Sequence, residues 1–214
     1  MDGEKLISNV YAGYGKAAKR IGFDYAVYRP SQSPSDPPLD NANLLLESLK
    51  VSPNQKGDYK VPNSYGVAIW WSYHDGSETL VGDYLVGRMG TFFIAAQQDL
   101  LPIMLVNCNR VVTITRPAPA DGIGAVDYQG YTTDATDTLM TEWPASILQG
   151  REKDQNIVPM DTKLPSWQIL LPAQAGVVLR TSDIITDDLG HRYGIGSAEQ
   201  TDLGWRLTAI QLQA

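Results

Sequence analysis

Short runs in which apolar and polar residues alternate fill the last third of the chain. The alternation is clearest at Trp205, Leu207 and Ala209, which would share one face of a strand, with Arg206 and Thr208 on the other face. Clusters of Asp and Gly separate the runs, as expected for hairpin turns, so the pattern predicts a small antiparallel sheet with one buried face. The predicted strands are Trp167–Leu171, Val177–Leu179, Ile184–Thr186, Arg192–Ser197 and Trp205–Leu212.

The same order of features occurs once earlier, in residues 82–117. Asp83 corresponds to Asp183 at the start of a strand, and Gly90 corresponds to Gly190 in the turn before an aromatic strand. This similarity indicates an internal repeat. The alternative is chance similarity between two hairpins of like composition.

Residues 65–119 read as a first β unit, and residues 166–214 as a second. The first contains near-continuous apolar runs such as VAIWW, which are typical of strands that are buried on both faces or that face a partner. Trp70 and Trp71 point to opposite faces of one strand. Packing in a core or a subunit contact therefore explains the tryptophans better than a sugar-binding surface does.

Residues 1–22 are predicted to form an amphipathic helix. Ile7, Tyr11 and Tyr14 recur at three- and four-residue spacing, and Gly22 can end the helix. Two internal glycines lower helix stability by roughly 1 kcal/mol each relative to alanine. The helix therefore needs a docking surface. That surface is either the protein's own sheet, which we favour, or a neighbouring subunit.

Residues 23–64 are predicted to be an extended arm and linker. The segment starts as a short strand, and four prolines between residues 23 and 40 then stiffen the chain. Residues 30–40 are either a plain surface loop or an arm that reaches onto an adjacent subunit. Residues 41–49 are compatible with a short helix or a strand.

Residues 120–165 are rich in Asp, Thr, Gly and Pro, which predicts a long loop between the two β units. Loops of such length in a compact domain usually carry function or contact partners. The fold class that follows is mainly β: two antiparallel barrel-like or sandwich-like units, a possible internal repeat of one another, with an N-terminal α-helix and an extended arm.

Composition fits a folded protein, with 43% hydrophobic residues and a net charge of −7. This charge opposes binding to nucleic-acid phosphates, although an acidic surface suits a passage that DNA traverses without sticking. The single cysteine, Cys108, excludes an internal disulfide and fits a reducing cytoplasm, and its apolar surroundings indicate a small buried side chain. No stretch of about 18 apolar residues occurs, so we expect neither a signal peptide nor a membrane span.

Reactive motifs are absent from the sequence: there is no Gly-x-Ser-x-Gly, phosphate loop, His-Glu-x-x-His or cysteine pair at metal spacing. His74 and His191 lie in predicted hairpin turns, which indicates solvated surface positions. Asp127, Asp134 and Asp137 lack the spacing of a calcium loop. We therefore expect no catalytic residue, no metal and no cofactor.

Three pieces of the C-terminal third carry a resemblance to a known protein class. They are Ser182–Thr186 (SDIIT), Gly190–Ile195 (GHRYGI) and Gly204–Leu207 (GWRL). Together they resemble the barrel of the head-to-tail joining proteins of tailed bacteriophages. Upstream, Tyr28–Pro30, Gly82–Val86 and Trp143–Leu148 resemble uncharacterised virion proteins of phages. Joining proteins of this type are usually shorter than this chain.

The resemblance implies a non-enzymatic virion protein that is assembled in the bacterial cytoplasm. It would form a homo-oligomeric ring at the neck or tail, contact portal, capsid or tail proteins, and let DNA pass as cargo, away from any membrane. The residues expected to contact partners are Ile7, Tyr11, Tyr14, Tyr28, Arg29, Pro30, Trp143, Pro144, Ile147 and Leu148.

Two other functions remain open at this point. One is a β-module of a tail tip or fibre that binds host-surface carbohydrate through exposed aromatic side chains. The other is a hydrolase whose acid and base are two of the 24 carboxylates.

Overall fold

Twelve strands and one long helix make up the described part of the chain, which confirms a mainly β fold with an N-terminal helix. The computed structural model describes residues 2–31, 33–57, 62–119, 131–150, 165–174 and 176–212. The elements are α1 (Gly3–Ile21), β1 (Phe23–Tyr28), β2 (Leu44–Asn54), β3 (Ile69–Tyr73), β4 (Tyr84–Gly87), β5 (Gly90–Ala96), β6 (Ile103–Cys108), β7 (Arg110–Pro119), β8 (Tyr131–Gln149), β9 (Ser166–Leu171), β10 (Ile184–Asp187), β11 (Arg192–Thr201) and β12 (Gly204–Leu212).

The strands form two closed antiparallel barrels of six strands each. The first barrel has the order β1-β2-β3-β6-β5-β4, and the second has the order β7-β8-β9-β12-β11-β10. The second barrel therefore repeats the first, strand for strand. Closure leaves neither sheet with a free edge, so further contacts must use the outer faces or the ends of the barrels.

Irregularities of the two barrels also coincide. The pairing of β5 with β6 slips between Ile94 and Ala96, and that of β11 with β12 slips between Ile195 and Ser197. Such β-bulges are specific local features, so their recurrence supports the internal repeat. The match of Asp83 with Asp183 is confirmed. The predicted equivalence of Gly90 with Gly190 is wrong by one residue. The turn after β10 is one residue longer than the turn after β4, so His191 is the structural equivalent of Gly90.

An arginine–aspartate pair with a buried aspartate ties each barrel together. Arg29 Nε and Nη2 donate to the two carboxylate oxygens of Asp83 at 2.9 and 2.7 Å. Arg116 donates in the same way to Asp183 at 2.7 and 2.8 Å. Each aspartate side chain is only 2% exposed and also accepts a backbone N–H at 2.8 Å. Two parallel charged hydrogen bonds fix geometry strongly, so each pair locks the first strand of its barrel to the turn before the fourth.

Aromatic pairs inside the barrels repeat as well. Trp70 packs edge-on against Phe92 with 5.3 Å between ring centres, and Trp167 packs against Tyr193 at 5.7 Å. By strand register, Trp70 is the structural equivalent of Trp167, and Phe92 is the structural equivalent of Tyr193. As predicted from alternation, Trp70 is buried whereas Trp71, on the opposite face, is half-buried.

The predicted boundaries of the β units need correction. The predicted arm and linker over 23–64 is wrong where β1 and β2 form, and these strands complete the first barrel. Conversely β7, placed by the sequence in the first unit, belongs to the second barrel. The segment was predicted as an arm because its proline cluster dominates the local sequence pattern. That pattern could not show that β1 pairs with β4, which lies far away in sequence.

The predicted loop over 120–165 is wrong for residues 131–149, which form β8. This strand reads as a loop because its first part is polar, and residues 136–138 are exposed. A second error concerns Val177–Leu179, which is not a strand. Its end residues, Val177 and Leu179, are nevertheless buried in the second core.

Removing either clamp aspartate should destabilise the protein. Asp83→Ala or Asp183→Ala leaves a partly buried guanidinium without its partner, and we expect a loss of about 2 kcal/mol in the free energy of unfolding. Urea unfolding followed by tryptophan fluorescence measures it. The control is Asp24→Ala, because the Asp24–Lys50 pair lies on the surface and should change little. Equal shifts for all three variants would contradict a clamp role.

Candidate functional site: the faces that join the barrels

The two barrels share a buried junction. Each barrel has two opposed outer faces. The head face is the outer side of β2 and β3 in the first barrel and of β8 and β9 in the second. The tail face is the outer side of β4, β5 and β6 in the first barrel and of β10, β11 and β12 in the second. The tail face of the first barrel packs on the head face of the second. One apolar cluster accordingly contains Tyr84, Phe93 and Val106 of the first barrel together with residues of the second core.

Tyr84 is the central contact of this junction. Its hydroxyl donates to the carbonyl of Pro144 at 2.9 Å, and its ring packs edge-on against Trp143 at 6.2 Å. Tyr84 is fully buried, and this burial raises the pKa of its phenol well above the usual range. The part of the tail face around Tyr84 is therefore shielded from solvent like a core.

A one-residue linker fixes the angle between the barrels. Asn109 lies between the end of β6 and the start of β7, and its side-chain amide exchanges two hydrogen bonds with the backbone of Ile147, at 2.9 and 2.7 Å. Its backbone N–H also donates to Ala145 at 3.0 Å. Asn109 thus extends the strand pairing of β8 across the junction. Sequence patterns gave no signal for this role, because an isolated Asn between apolar strands also suits a turn.

The arm folds back onto its own chain. The carbonyl of Pro34 accepts hydrogen bonds from the indole of Trp143 at 3.0 Å and from the backbone of Thr141 at 3.3 Å. The carbonyl of Ser31 accepts from Gln174 at 2.7 Å. In this structure the segment therefore lies on the second barrel of its own chain, as the surface-loop interpretation allows, and contact with an adjacent subunit stays a prediction.

The expected partner contacts divide into buried and accessible residues. Trp143, Pro144 and Ile147 are buried within the chain, and their role as partner contacts stays a prediction. Leu148 is half-buried on the outer side of β8. Tyr28, Arg29 and Pro30 are half-buried around the first clamp, and Ile7, Tyr11 and Tyr14 are half-buried on α1.

Helix α1 covers the head face of the first barrel, as the sequence favoured. Tyr14 packs edge-on against Tyr73 at 5.1 Å, and Ala18 is completely buried. The ring of Tyr11 lies against Gly76, where a Cβ atom would approach it to 2.8 Å. Tyr11 and Tyr14 therefore contact the protein's own barrel.

The two histidines differ from each other in the structure. His74 was predicted on the surface, but it is completely buried and bonds Ser72 at 3.0 Å and Thr79 at 3.2 Å. Burial lowers the pKa of its imidazole to about 4. The negative charge of Asp75 raises this pKa, but its effect is smaller than that of burial. His191 lies at the predicted hairpin, with its side chain 46% exposed.

Asp187 organises the turn that carries His191. Its carboxylate accepts from the backbone of Leu189, from the backbone and ring of His191, and from the hydroxyl of Tyr193. Burial would raise the pKa of Asp187, but these hydrogen bonds outweigh burial and lower it. Burial and the nearby Asp187 raise the pKa of Tyr193 to about 12. The carboxylate thus holds the turn, bonds Tyr193 of β11 and forms an ion pair with Arg110 of β7 at 3.8 Å.

An open cleft of about 520 Å³ lies along one side of the junction. Its walls are mostly apolar, and among its described lining residues the charged side chains are one carboxylate, Asp202, and one guanidinium, Arg206. A pair of carboxylates for acid and base chemistry does not converge there. The apolar residues that line it are Val67, Ile69, Phe93, Met104, Val106, Leu148, Leu170, Leu203 and Trp205.

Other candidate reactive groups are dispersed. Within the described ranges, no three His, Cys, Asp or Glu side chains converge to hold a metal ion. Asp127 and the side chain of Asp134 lie outside the described residues, and Asp137 is exposed. Cys108 is half-buried beside the junction, and burial raises the pKa of its thiol, which disfavours the nucleophilic thiolate.

Comparison with models of known protein families, with curated proteins and with solved structures gives no match. In the part of the chain that the structure covers, no helix is long and apolar enough to cross a lipid bilayer.

Acid should destabilise the first barrel through His74. The unfolded histidine titrates near 6.5 and the folded one near 4, so between these values the unfolded state binds the proton and stability falls as the pH drops, by up to about 3 kcal/mol in total. Urea midpoints at pH 7 and pH 4.5 measure the effect. His74→Asn should lose much of the pH dependence, whereas the control His191→Asn should keep it. An unchanged dependence in His74→Asn would contradict this assignment.

The arm should depend on the Trp143 indole. Trp143→Phe keeps an aromatic ring but removes the donor to Pro34, and we expect a loss of about 1 kcal/mol and faster proteolytic cleavage within residues 30–40. Limited proteolysis with mass spectrometry gives the cleavage sites. Trp71→Phe is the matched control and should leave the arm protected. Equal protection of the arm in both variants would refute the anchoring role.

Proposed function

We propose that this protein is a non-enzymatic structural component of a tailed-phage virion. It forms a homo-oligomeric ring at the head-to-tail junction or in the tail, joins portal or capsid to tail, and lets DNA pass. The observation that carries the proposal is the tandem arrangement of two like barrels, in which the tail face of one packs on the head face of the next. Contacts between unlike faces close into rings when the rotation between units allows it.

Rigidity of the two-barrel unit supports this role. The two clamps stiffen each barrel internally, and the Tyr84 contact and the Asn109 linker act against relative motion of the barrels. A joining protein must hold a fixed spacing between larger assemblies, which such a unit provides. The net charge of −7 suits a passage for DNA, because like charges repel.

The alternative of a carbohydrate-binding module has less support. Stacking on sugars requires a platform of exposed aromatic rings; none of the five tryptophans is exposed, and the exposed aromatic residues of the described chain are Phe23 and Tyr65. Trp70, Trp143 and Trp205 are buried, and Trp71 and Trp167 are half-buried. A hydrolase has no support from the cleft either, since Asp202 is the only carboxylate among its described lining residues.

A ring should be detectable directly. We expect the purified full-length protein, alone or mixed with the portal and tail proteins encoded beside it, to form closed oligomers in native mass spectrometry and negative-stain images. Antibody labelling of purified virions should mark the neck or tail. A protein that stays monomeric in every mixture and is absent from virions would contradict the proposal.

A further inference from the structure

Among the described residues, no element covers the tail face of the second barrel. Its equivalent on the first barrel consists of Tyr84, Phe93 and Val106, all of which are buried by the junction. On the second barrel the corresponding apolar residues are accessible: Ile210, the equivalent of Val106, is 43% exposed, and the neighbouring Leu212 is 40% exposed. The outward side of β12 thus carries Arg206 and Thr208 beside an exposed apolar pair, Ile210 and Leu212, and we take this pair as the candidate contact point.

Two glycines of β11 lie on this face. Gly194 occupies the position of Phe93, and Gly196 that of Ala95 in the bulge. Neither glycine has a positive φ, so the backbone conformation does not require glycine at either place. A glycine that a strand does not need for its own geometry often marks the close approach of another surface. Close approach of a partner backbone is therefore open at the exposed Gly196, whereas at Gly194 the Leu212 side chain already lies 3.4 Å from the position of a Cβ atom.

At the opposite end of the molecule, the head face of the first barrel is covered by α1. The head face of the second barrel receives a tail face, whereas the head face of the first barrel carries α1. Helix α1 thus occupies the place where, by the repeat, a preceding barrel would sit. Its docking uses Tyr11, Tyr14 and Ala18, and of its residues only Ala18 is fully buried.

We propose that the second tail face of one copy binds the first head face of another copy, in place of α1. This proposal deepens the proposed ring function and rests on it for its biological role. It names the surfaces through which copies join. The occupant is a copy of this chain because the only surface shown to fit a tail face is a head face of the same repeat.

The equivalences predict one contact in particular. Ile184 is the equivalent of Tyr84, and Lys50 is the equivalent of Pro144. Ile184 of one copy should therefore lie against Lys50 of the next. The Lys50 side chain pairs with Asp24 on the surface, and 41% of it is exposed, so this position is accessible at the edge of α1.

Release of α1 should control the association. Tyr14→Asp, in the full-length chain, places a charge against Tyr73 and weakens helix docking, so self-association should strengthen by about tenfold or more, which corresponds to about 1.4 kcal/mol. Ile210→Arg should weaken it by at least a similar factor, alone and in combination with Tyr14→Asp. The matched control is Met89→Arg, at a residue of the first barrel with 40% exposure. Sedimentation velocity over a concentration series measures all four variants.

Cysteine trapping tests the pairing itself. Lys50→Cys combined with Ile184→Cys should give disulfide-linked dimers and longer chains or closed rings on mild oxidation, enhanced by Tyr14→Asp. Lys50→Cys combined with Met89→Cys should not. Crosslinking of Ile184→Cys alone would show that two tail faces meet each other, which would overturn the proposal.

The outcomes separate this inference from the ring function. If closed oligomers form but neither Ile210→Arg nor the cysteine pair affects them, the ring stands and the proposed surfaces are wrong. If the wild type and Tyr14→Asp are both monomeric at every concentration, self-association through these faces is refuted. If the pair crosslinks in the purified protein while virions lack the chain, the surfaces stand and the virion role falls.

Discussion

Burial of one outer barrel face against another is the constraint on which this structure depends. Each barrel is closed, so no strand edge remains for extension, and the chain grows only by packing faces. Tyr84 and Phe93 are therefore buried although they point away from the interior of their barrel, where Leu85 and Phe92 lie. The arm and the Asn109 linker stabilise this packing, because both hold the second barrel in place on the first.

Although the two barrels are alike, the two ends of the molecule present different surfaces. Equivalent arginine–aspartate clamps and equivalent bulges keep the two barrels alike. Their neighbours differ, because a helix precedes the first barrel whereas no described element covers the second tail face. In solenoid proteins, terminal units with a polar outer face prevent uncontrolled stacking. Helix α1 has that position here, and its two internal glycines lower the stability of the helix itself.

Local patterns predicted most strands of both barrels but not which strands pair. Alternation at Trp205, Leu207 and Ala209 placed β12 and its buried face correctly, and the aspartates of the two clamps were matched correctly. The strands β1, β2 and β8 were missed as barrel members, because prolines or polar residues dominate their surroundings while their partners lie far away in sequence. Burial of His74 and of Trp143 likewise depends on contacts between distant segments. The candidate faces could not be located from the sequence, since a side chain at an outward position such as Tyr84 becomes buried only once the second barrel is in place.

Hydrogen–deuterium exchange of the full-length protein, compared between dilute and concentrated solution, tests the head-to-tail account most directly. The account predicts that exchange slows with concentration in residues 184–212 and that it quickens in residues 3–21 as α1 is released. Slower exchange in residues 3–21, or a concentration-dependent protection confined to other segments, would contradict it.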